Sequence, residues 1–226
     1  MIRAVVFDLD HTLYDRYGTI CEMVCHVREW FNVRPGVNDS EIAMRWIESD
    51  KKYAHHSLHK LYGDWINGDM FCEPLPTPER LIDFHYFVYS SCAVPFPYSI
   101  PVLEELRRRG YKLGLITNGR GPVQRKKLEL LGFENIFDHV LVGGEFGLQK
   151  PHTEMFDEMS RVLGIPPAEM MYVGDNPYND VRASKKAGYV PVWLRLTEWP
   201  IADMQAPKHR IDAVYELLEF EELQGI

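Results

Sequence analysis

The sequence predicts an α/β fold, a doubly wound parallel sheet carrying an inserted α-helical domain. Three observations support this. Short apolar runs alternate with helical patterns along residues 95–195, the rhythm of a parallel sheet covered by helices. A further apolar run opens the chain at residues 4–9 and stops abruptly in polar residues. Between them, residues 15–94 hold no good strand run and show helical spacing instead. The core domain is therefore assigned to residues 1–14 and 95–226, and the helical insert to residues 15–94.

The opening strand is Ala4-Val5-Val6-Phe7-Asp8-Leu9. In the insert, Ile20, Met23, Val24, Val27 and Phe31 recur at helical spacing and predict an amphipathic helix over 17–32. Residues 39–62 and 79–92 also read as helices, with a loop at Pro74, Pro76 and Pro78. Pro95, Pro97 and Pro101 mark the return to the core. There, helices are expected at 101–109, 122–131, 153–163 and 181–187, each followed by glycine (Gly110, Gly132, Gly164, Gly188). Strands are expected at 112–116, 138–142, 170–173 and 189–194. Pro191 in the last of these predicts an edge strand or an early stop. A final helix is expected over 212–223.

Bulk properties narrow the function. The chain has 226 residues, 46% hydrophobic and 26% charged, with a formal charge of −8. That balance argues against broad binding to nucleic acid or to an anionic membrane. No apolar run approaches the roughly 18–20 residues of a membrane span, and residues 1–10 read as a strand rather than a secretory signal. A cytoplasmic protein is expected. Cys21, Cys25, Cys72 and Cys92 lack Cys-x-x-Cys spacing and are expected to be ordinary buried thiols.

The chemistry lies at the strand ends. Strand alternation would put Asp8 and Asp10 on one face, where two close carboxylates need a cation, a proton or a lysine between them. Capping a turn or helix is the lesser, structural alternative for these two residues taken alone. Thr117-Asn118-Gly119 follows the second core strand and offers donors to an anion, although Thr-Asn-Gly is also a common turn. Lys150-Pro151 follows the third strand; a lone lysine before proline is usually solvated. Gly174-Asp175 follows the fourth, with Asp180 five residues on, where capping the next helix is the bland alternative. Right-handed crossovers bring all four strand ends to one edge. Asp8, Asp10 and Asp175 then supply hard oxygen ligands for Mg²⁺, and Lys150 and Thr117 supply charge and donors for a phosphoryl oxygen.

This order of motifs resembles the haloacid dehalogenase (HAD) superfamily of hydrolases. The resemblance rests on Asp8-x-Asp10-x-Thr12, Thr117-Asn118, Lys150-Pro151, and Gly174-Asp175 with Asp180. It covers residues 1–14 and about 95–195. The insert after the first motif is similar to the C1-type helical cap, as in phosphatases of the phosphoglycolate and nucleotide kind. The resemblance implies a Rossmann-like core and a Mg²⁺-dependent phosphatase with Asp8 as nucleophile. Asp10 would be the general acid and base, and Asp8, Asp175 and the Asp10 carbonyl the metal ligands. Thr117 and Asn118 would bind phosphoryl oxygens and Lys150 would offset charge. Asp180 and Thr12 would support these groups from behind. The dehalogenases that name the family lack the second aspartate, because halide leaves without a proton, so Asp10 favours phosphate esters. A phosphomutase acting on a sugar phosphate, a 2-haloacid dehalogenase and a non-catalytic phospholigand-binding protein are the alternative readings. His11 and Gly143 depart from the family pattern, where a small residue and a serine are more usual.

The expected partner is a small phosphorylated metabolite. Arg120, next to Thr117-Asn118-Gly119, is a candidate for a second anionic group on it. The insert holds His26, His55, His56, His59, His85, Trp30, Trp46 and Trp65. These suit stacking on a substrate, yet a small helical domain also needs aromatics for its own packing. Neither the natural substrate nor the oligomeric state is legible in the sequence.

Overall fold

The computed structural model describes all residues except 54–59, 64–68, 197–198 and 226. The chain forms two compact units, Met1–Asp15 with Pro95–Ile226, and Arg16–Val94.

The first unit is built on six strands: β1 (Ala4–Phe7), β2 (Lys112–Thr117), β3 (His139–Val142), β4 (Met170–Gly174), β5 (Val190–Leu194) and β6 (His209–Ile211). Their spatial order is β3-β2-β1-β4-β5-β6, with every neighbouring pair parallel. This is the doubly wound, Rossmann-like arrangement. Strand order reverses between β1 and β4, and open sheets of this type bind ligands outside the carboxyl ends at that reversal.

All four residues of β1 are buried, as expected for a central parallel strand. Ala4, Val6, Ile116, Met170 and Tyr172 point to one side, where Met155, Phe156, Met159 and Leu163 of the Glu154–Leu163 helix cover them. Val5, Phe7, Leu113 and Leu115 on the other side are equally buried. Phe156 is fully buried and packs edge-on against Tyr172 and Tyr189 at 4.9 and 5.6 Å. Phe156→Ala is expected to cost about 3–5 kcal/mol of stability, read by urea unfolding.

Several elements differ from expectation. β1 ends at Phe7 rather than Leu9, so Asp8 and Asp10 stand in the loop beyond it. Pro191 lies inside the sheet, because β6 pairs only with Val192–Leu194 and leaves the proline upstream of that ladder. The helix expected over 212–223 is two 3₁₀ segments, Val214–Glu219 and Glu221–Leu223, parted by extended Phe220. The helix expected at 181–187 starts earlier, as a π turn over Pro177–Arg182 that continues into Ala183–Lys186. Asn176, not Asp180, caps it: Asn176 Oδ1 accepts from the Tyr178 and Asn179 backbone N–H groups at 3.0 and 2.9 Å.

In the second unit, the helix expected over 17–32 is split into Arg16–Val24 and Val27–Trp30. The His26 N–H bonds back to Met23 O, which tightens the turn and breaks the register. Further helices span Asp39–Tyr53 and Pro78–Val88, the latter capped by the Thr77 hydroxyl. The rest of the expected 39–62 helix lies partly outside the described residues, as do His55, His56, His59 and Trp65. The other aromatics pack on each other: Trp46 and Phe84 are buried with ring centroids 5.9 Å apart, and Trp30 sits 5.6 Å from Phe84. His85 is buried, stacks on Tyr89 at 4.6 Å and bonds Tyr62 OH at 2.8 Å. His26 faces Glu29 near the surface. Cys21 and Cys25 are exposed, and Cys72 and Cys92 half-buried. Burial was expected, but Cys21 and Cys25 lie off the stripe formed by Ile20, Met23, Val24 and Val27.

Candidate active site

The carboxyl ends of β1, β2 and β4 bring the sequence motifs together. Asp8 follows β1 and stays tied to the sheet, its N–H donating to Val173 O at 2.9 Å. Lys150, only 5% exposed, donates from Nζ to Asp8 Oδ1 at 2.5 Å, to Asp180 Oδ1 at 2.7 Å and to Tyr172 OH at 2.8 Å. The lysine is thus a buried cation held between two carboxylates, not a solvated surface group. Asp8 Oδ2 has no hydrogen-bond partner among the described residues.

Carboxylate oxygens of Asp8, Asp175 and Asp180 lie within 4.8 Å of one another. This set of hard oxygen donors fits a divalent cation such as Mg²⁺. The electrostatics agree, since burial together with the neighbouring Asp180 and Asp10 charges outweighs Lys150 and pushes the Asp8 carboxyl up to about 7. Burial, then the Asp180 and Asp8 charges, also raise Asp175 well above the usual carboxylate range. Burial alone would lower Lys150, but Asp180 and Asp8 hold it above its ordinary value. Three clustered carboxylates, Asp8 and Asp180 buried and Asp175 half-buried, sit beside a single lysine and carry excess negative charge, which a bound cation would offset.

Asp10 does not share the cation of Asp8. His11 adopts a left-handed conformation, φ 64°, and the chain turns so that Asp10 meets a lysine of its own. Lys127 Nζ donates to Asp10 Oδ1 at 2.9 Å, Tyr14 OH bonds the same oxygen, and Gln124 Nε2 donates to Oδ2 at 2.9 Å. Gln124 also reaches the Thr117 hydroxyl at 2.6 Å. Asn118 clamps the Lys150 backbone, accepting from its N–H at 2.8 Å and donating to its carbonyl at 2.9 Å. Thr12 is buried, and its hydroxyl has no partner among the described residues. Arg120 is exposed at the start of the Gly121–Leu130 helix.

Two glycines permit close approaches. A Cβ on Gly174 would lie 2.5 Å from the Asp180 carboxylate. One on Gly143 would lie 2.8 Å from Gln149 Cγ and 3.0 Å from Leu148 O, so glycine there lets the loop before Lys150 pack down. Gly174→Ala is expected to shift Asp180 off Lys150 and lower turnover on the order of 100-fold, as small displacements of site groups do. Steady-state kinetics, with circular dichroism confirming the fold, would show it.

A family model described as haloacid dehalogenase-like hydrolase matches residues 5–193. The chain belongs to this family. Among curated relatives of this HAD hydrolase, a glyceraldehyde 3-phosphate phosphatase from Methanopyrus kandleri is 32% identical, the match covering 97% of each chain. The solved HAD phosphatase from Thermococcus onnurineus is similar at 28% identity and TM-score 0.66, covering 96% of this chain and 97% of that one. The L-2-haloacid dehalogenase from Xanthobacter autotrophicus shares the fold at TM-score 0.71 and 21% identity, covering 97% and 98%.

Sequence motifs missed four polar groups of the HAD site. Tyr172 reads as one more apolar strand residue, yet its hydroxyl contacts Lys150 and donates to Ile116 O at 3.1 Å. Burial, then the Asp180 and Asp8 charges, keep that phenol neutral by raising it well above its usual value. Gln124 and Lys127 lie within the helix expected at 122–131, and Tyr14 closes the first core segment, without a motif of their own. The available signal was the spacing of Gln124 and Lys127, one turn apart on a helix that opens directly after Thr117-Asn118-Gly119.

Proposed function

We propose that this hydrolase is a Mg²⁺-dependent phosphatase that cleaves a small phosphomonoester through an aspartyl-phosphate on Asp8. The observation that carries the reading is the separate holding of the two carboxylates, Asp8 on Lys150 and Asp10 on Lys127. That separation suits two roles. Asp8 attacks phosphorus as the ester bond breaks, and Asp10 gives a proton to the leaving oxygen. Asp10 then takes a proton from the water that attacks the phosphoenzyme, and the Asp8 carboxylate is released. Halide displacement needs no such proton, so Asp10 favours phosphate esters over the dehalogenase reaction.

Thr117 and the Asn118 backbone bind phosphoryl oxygens, and Lys150 balances the charge on Asp8 and the phosphate. Asp8, Asp175 and the Asp10 carbonyl are assigned as the Mg²⁺ ligands. Asp180 steadies Lys150 and the Asn176 backbone beside them. Bound Mg²⁺ would supply positive charge against the phosphoryl group. Arg120 is assigned to a second anionic group of the substrate. Residues 16–94, by their place in the chain after Asp10, are assigned as the cap that selects the substrate.

A triose phosphate heads the candidate substrates, on the strength of the Methanopyrus kandleri relative. Phosphate release from a panel of phosphomonoesters, led by glyceraldehyde 3-phosphate, tests the reading. Release that requires Mg²⁺ and stops in EDTA is expected. No release from any member would overturn it and favour a mutase or a binding protein. Cation binding has its own readout: saturating Mg²⁺ is expected to raise the melting temperature by several degrees, and Asp175→Asn to abolish most of that rise.

A further inference from the structure

We infer that Gln124 and Lys127 are positioning residues for Asp10, and that Gln124 also aims the Thr117 hydroxyl at the phosphoryl group. The inference rests on the assignment of Asp10 as general acid and base. Gln124 and Lys127 lie three residues apart on the Gly121–Leu130 helix, so they share a face. They are 2% and 3% exposed, although amides and lysines are seldom so deeply buried without a reason. Apolar side chains would serve packing at least as well there, because a buried ion pair is often matched or exceeded in stability by hydrophobic replacements.

Both oxygens of Asp10 are held. Lys127 Nζ lies 2.9 Å from Oδ1 and 5.2 Å from the centre of the Tyr14 ring, whose hydroxyl bonds the same oxygen. Gln124 Nε2 lies 2.9 Å from Oδ2. With donors on each oxygen, the carboxyl plane cannot swing, and its proton is delivered along one line.

The second hydrogen of the same amide reaches Thr117 Oγ1 at 2.6 Å. A hydroxyl has one hydrogen and two lone pairs. Accepting from Gln124 leaves the Thr117 hydrogen to donate elsewhere, and its bond to Asn118 O is long, at 3.3 Å. A phosphoryl oxygen is the stronger acceptor. One side chain therefore ties the proton donor to the phosphate donor, which makes the helix a shared ruler for both.

The experiment compares an alkyl phosphate with p-nitrophenyl phosphate, whose leaving group needs no proton. Wild type, Lys127→Met, Gln124→Leu, Asp10→Asn and the double variant Asp10→Asn/Lys127→Met are assayed with Mg²⁺. Lys127→Met is expected to lower kcat/KM, which reports the step that expels the leaving group, on the order of 100-fold on the alkyl ester, the scale of general acid catalysis, and roughly tenfold less on the aryl ester. Gln124→Leu, which keeps the Lys127 charge and carries the test should Lys127→Met fail to fold, is expected to show the same selectivity and a raised KM. In the Asp10→Asn background, Lys127→Met is expected to add less than about threefold, because it acts through Asp10. Equal losses on both esters, or an undiminished loss in the Asp10→Asn background, would overturn the inference. Should Asp10→Asn itself lose equally in kcat/KM on both esters, the reading of Asp10 as general acid falls and takes this inference with it. A selective Asp10→Asn beside unselective Lys127→Met and Gln124→Leu sinks the inference alone.

Discussion

Asp8→Asn is expected to lower phosphate release on the order of 10⁴-fold or more, as removal of a nucleophile does. The amide keeps the shape of the side chain but cannot attack phosphorus. The fold is expected to gain rather than suffer. In the metal-free protein Asp8 is one of three clustered carboxylates around one lysine, and its carboxyl is raised to about 7. A carboxyl raised in the folded state stabilises fully below its unfolded value of 3.8 and loses that contribution as pH rises through about 7. Asparagine carries no such loss. In EDTA, the melting temperature of Asp8→Asn relative to wild type should therefore rise from pH 5 to pH 8. Thermal melts at the two pH values check the sign, and a variant less stable at pH 8 than at pH 5, relative to wild type, would contradict it. A catalytic group that costs stability where it works is a common trade in active sites.

Lys150→Met is expected to act in the opposite direction on stability while also removing activity. Nζ is within hydrogen-bond distance of Asp8, Asp180 and Tyr172, and the side chain is buried. Methionine fills the space but leaves two buried carboxylates facing each other. Breaking a buried pair in this way costs about 3–5 kcal/mol. The loss should be greatest at pH 8 and smaller at pH 5, where Asp8 is protonated and repulsion eases. Turnover is expected to fall on the order of 1000-fold, since the phosphoryl group loses a preorganised cation. Urea unfolding at both pH values and phosphate release measure the two effects. The pair of variants separates catalysis from stability: both lose turnover, and they differ in the sign of the stability change.

The sheet was legible because buried parallel strands leave continuous apolar runs, as in Ala4–Phe7 and Met170–Val173. β6 was not, since His209-Arg210-Ile211 is short, polar and at the edge of the sheet. Pro191 misled because β6 pairs with β5 only from Val192 onward, so at the proline the strand pairs with β4 alone and one side stays open. The residues 212–223 contain helix formers, yet the segment closes on tertiary anchors: Arg109 donates to Leu218 O and Leu223 O at 2.9 and 2.7 Å. At the site, Asp8, Lys150 and Asp180 were legible from the spacing of strand ends. The partition of Asp8 and Asp10 between two lysines was not. It depends on the left-handed turn at His11 and on which face of the Gly121–Leu130 helix is buried, and neither leaves a periodic mark in the sequence.

The most direct test of the central claim is to trap the phosphoenzyme. The wild-type protein, turning over a substrate from the panel with Mg²⁺, is quenched in acid and its peptides weighed. A peptide containing Asp8, heavier by one phosphoryl group and absent from Asp8→Asn, is the expected result. Turnover without that adduct, together with undiminished phosphate release by Asp8→Asn, would contradict a mechanism built on Asp8.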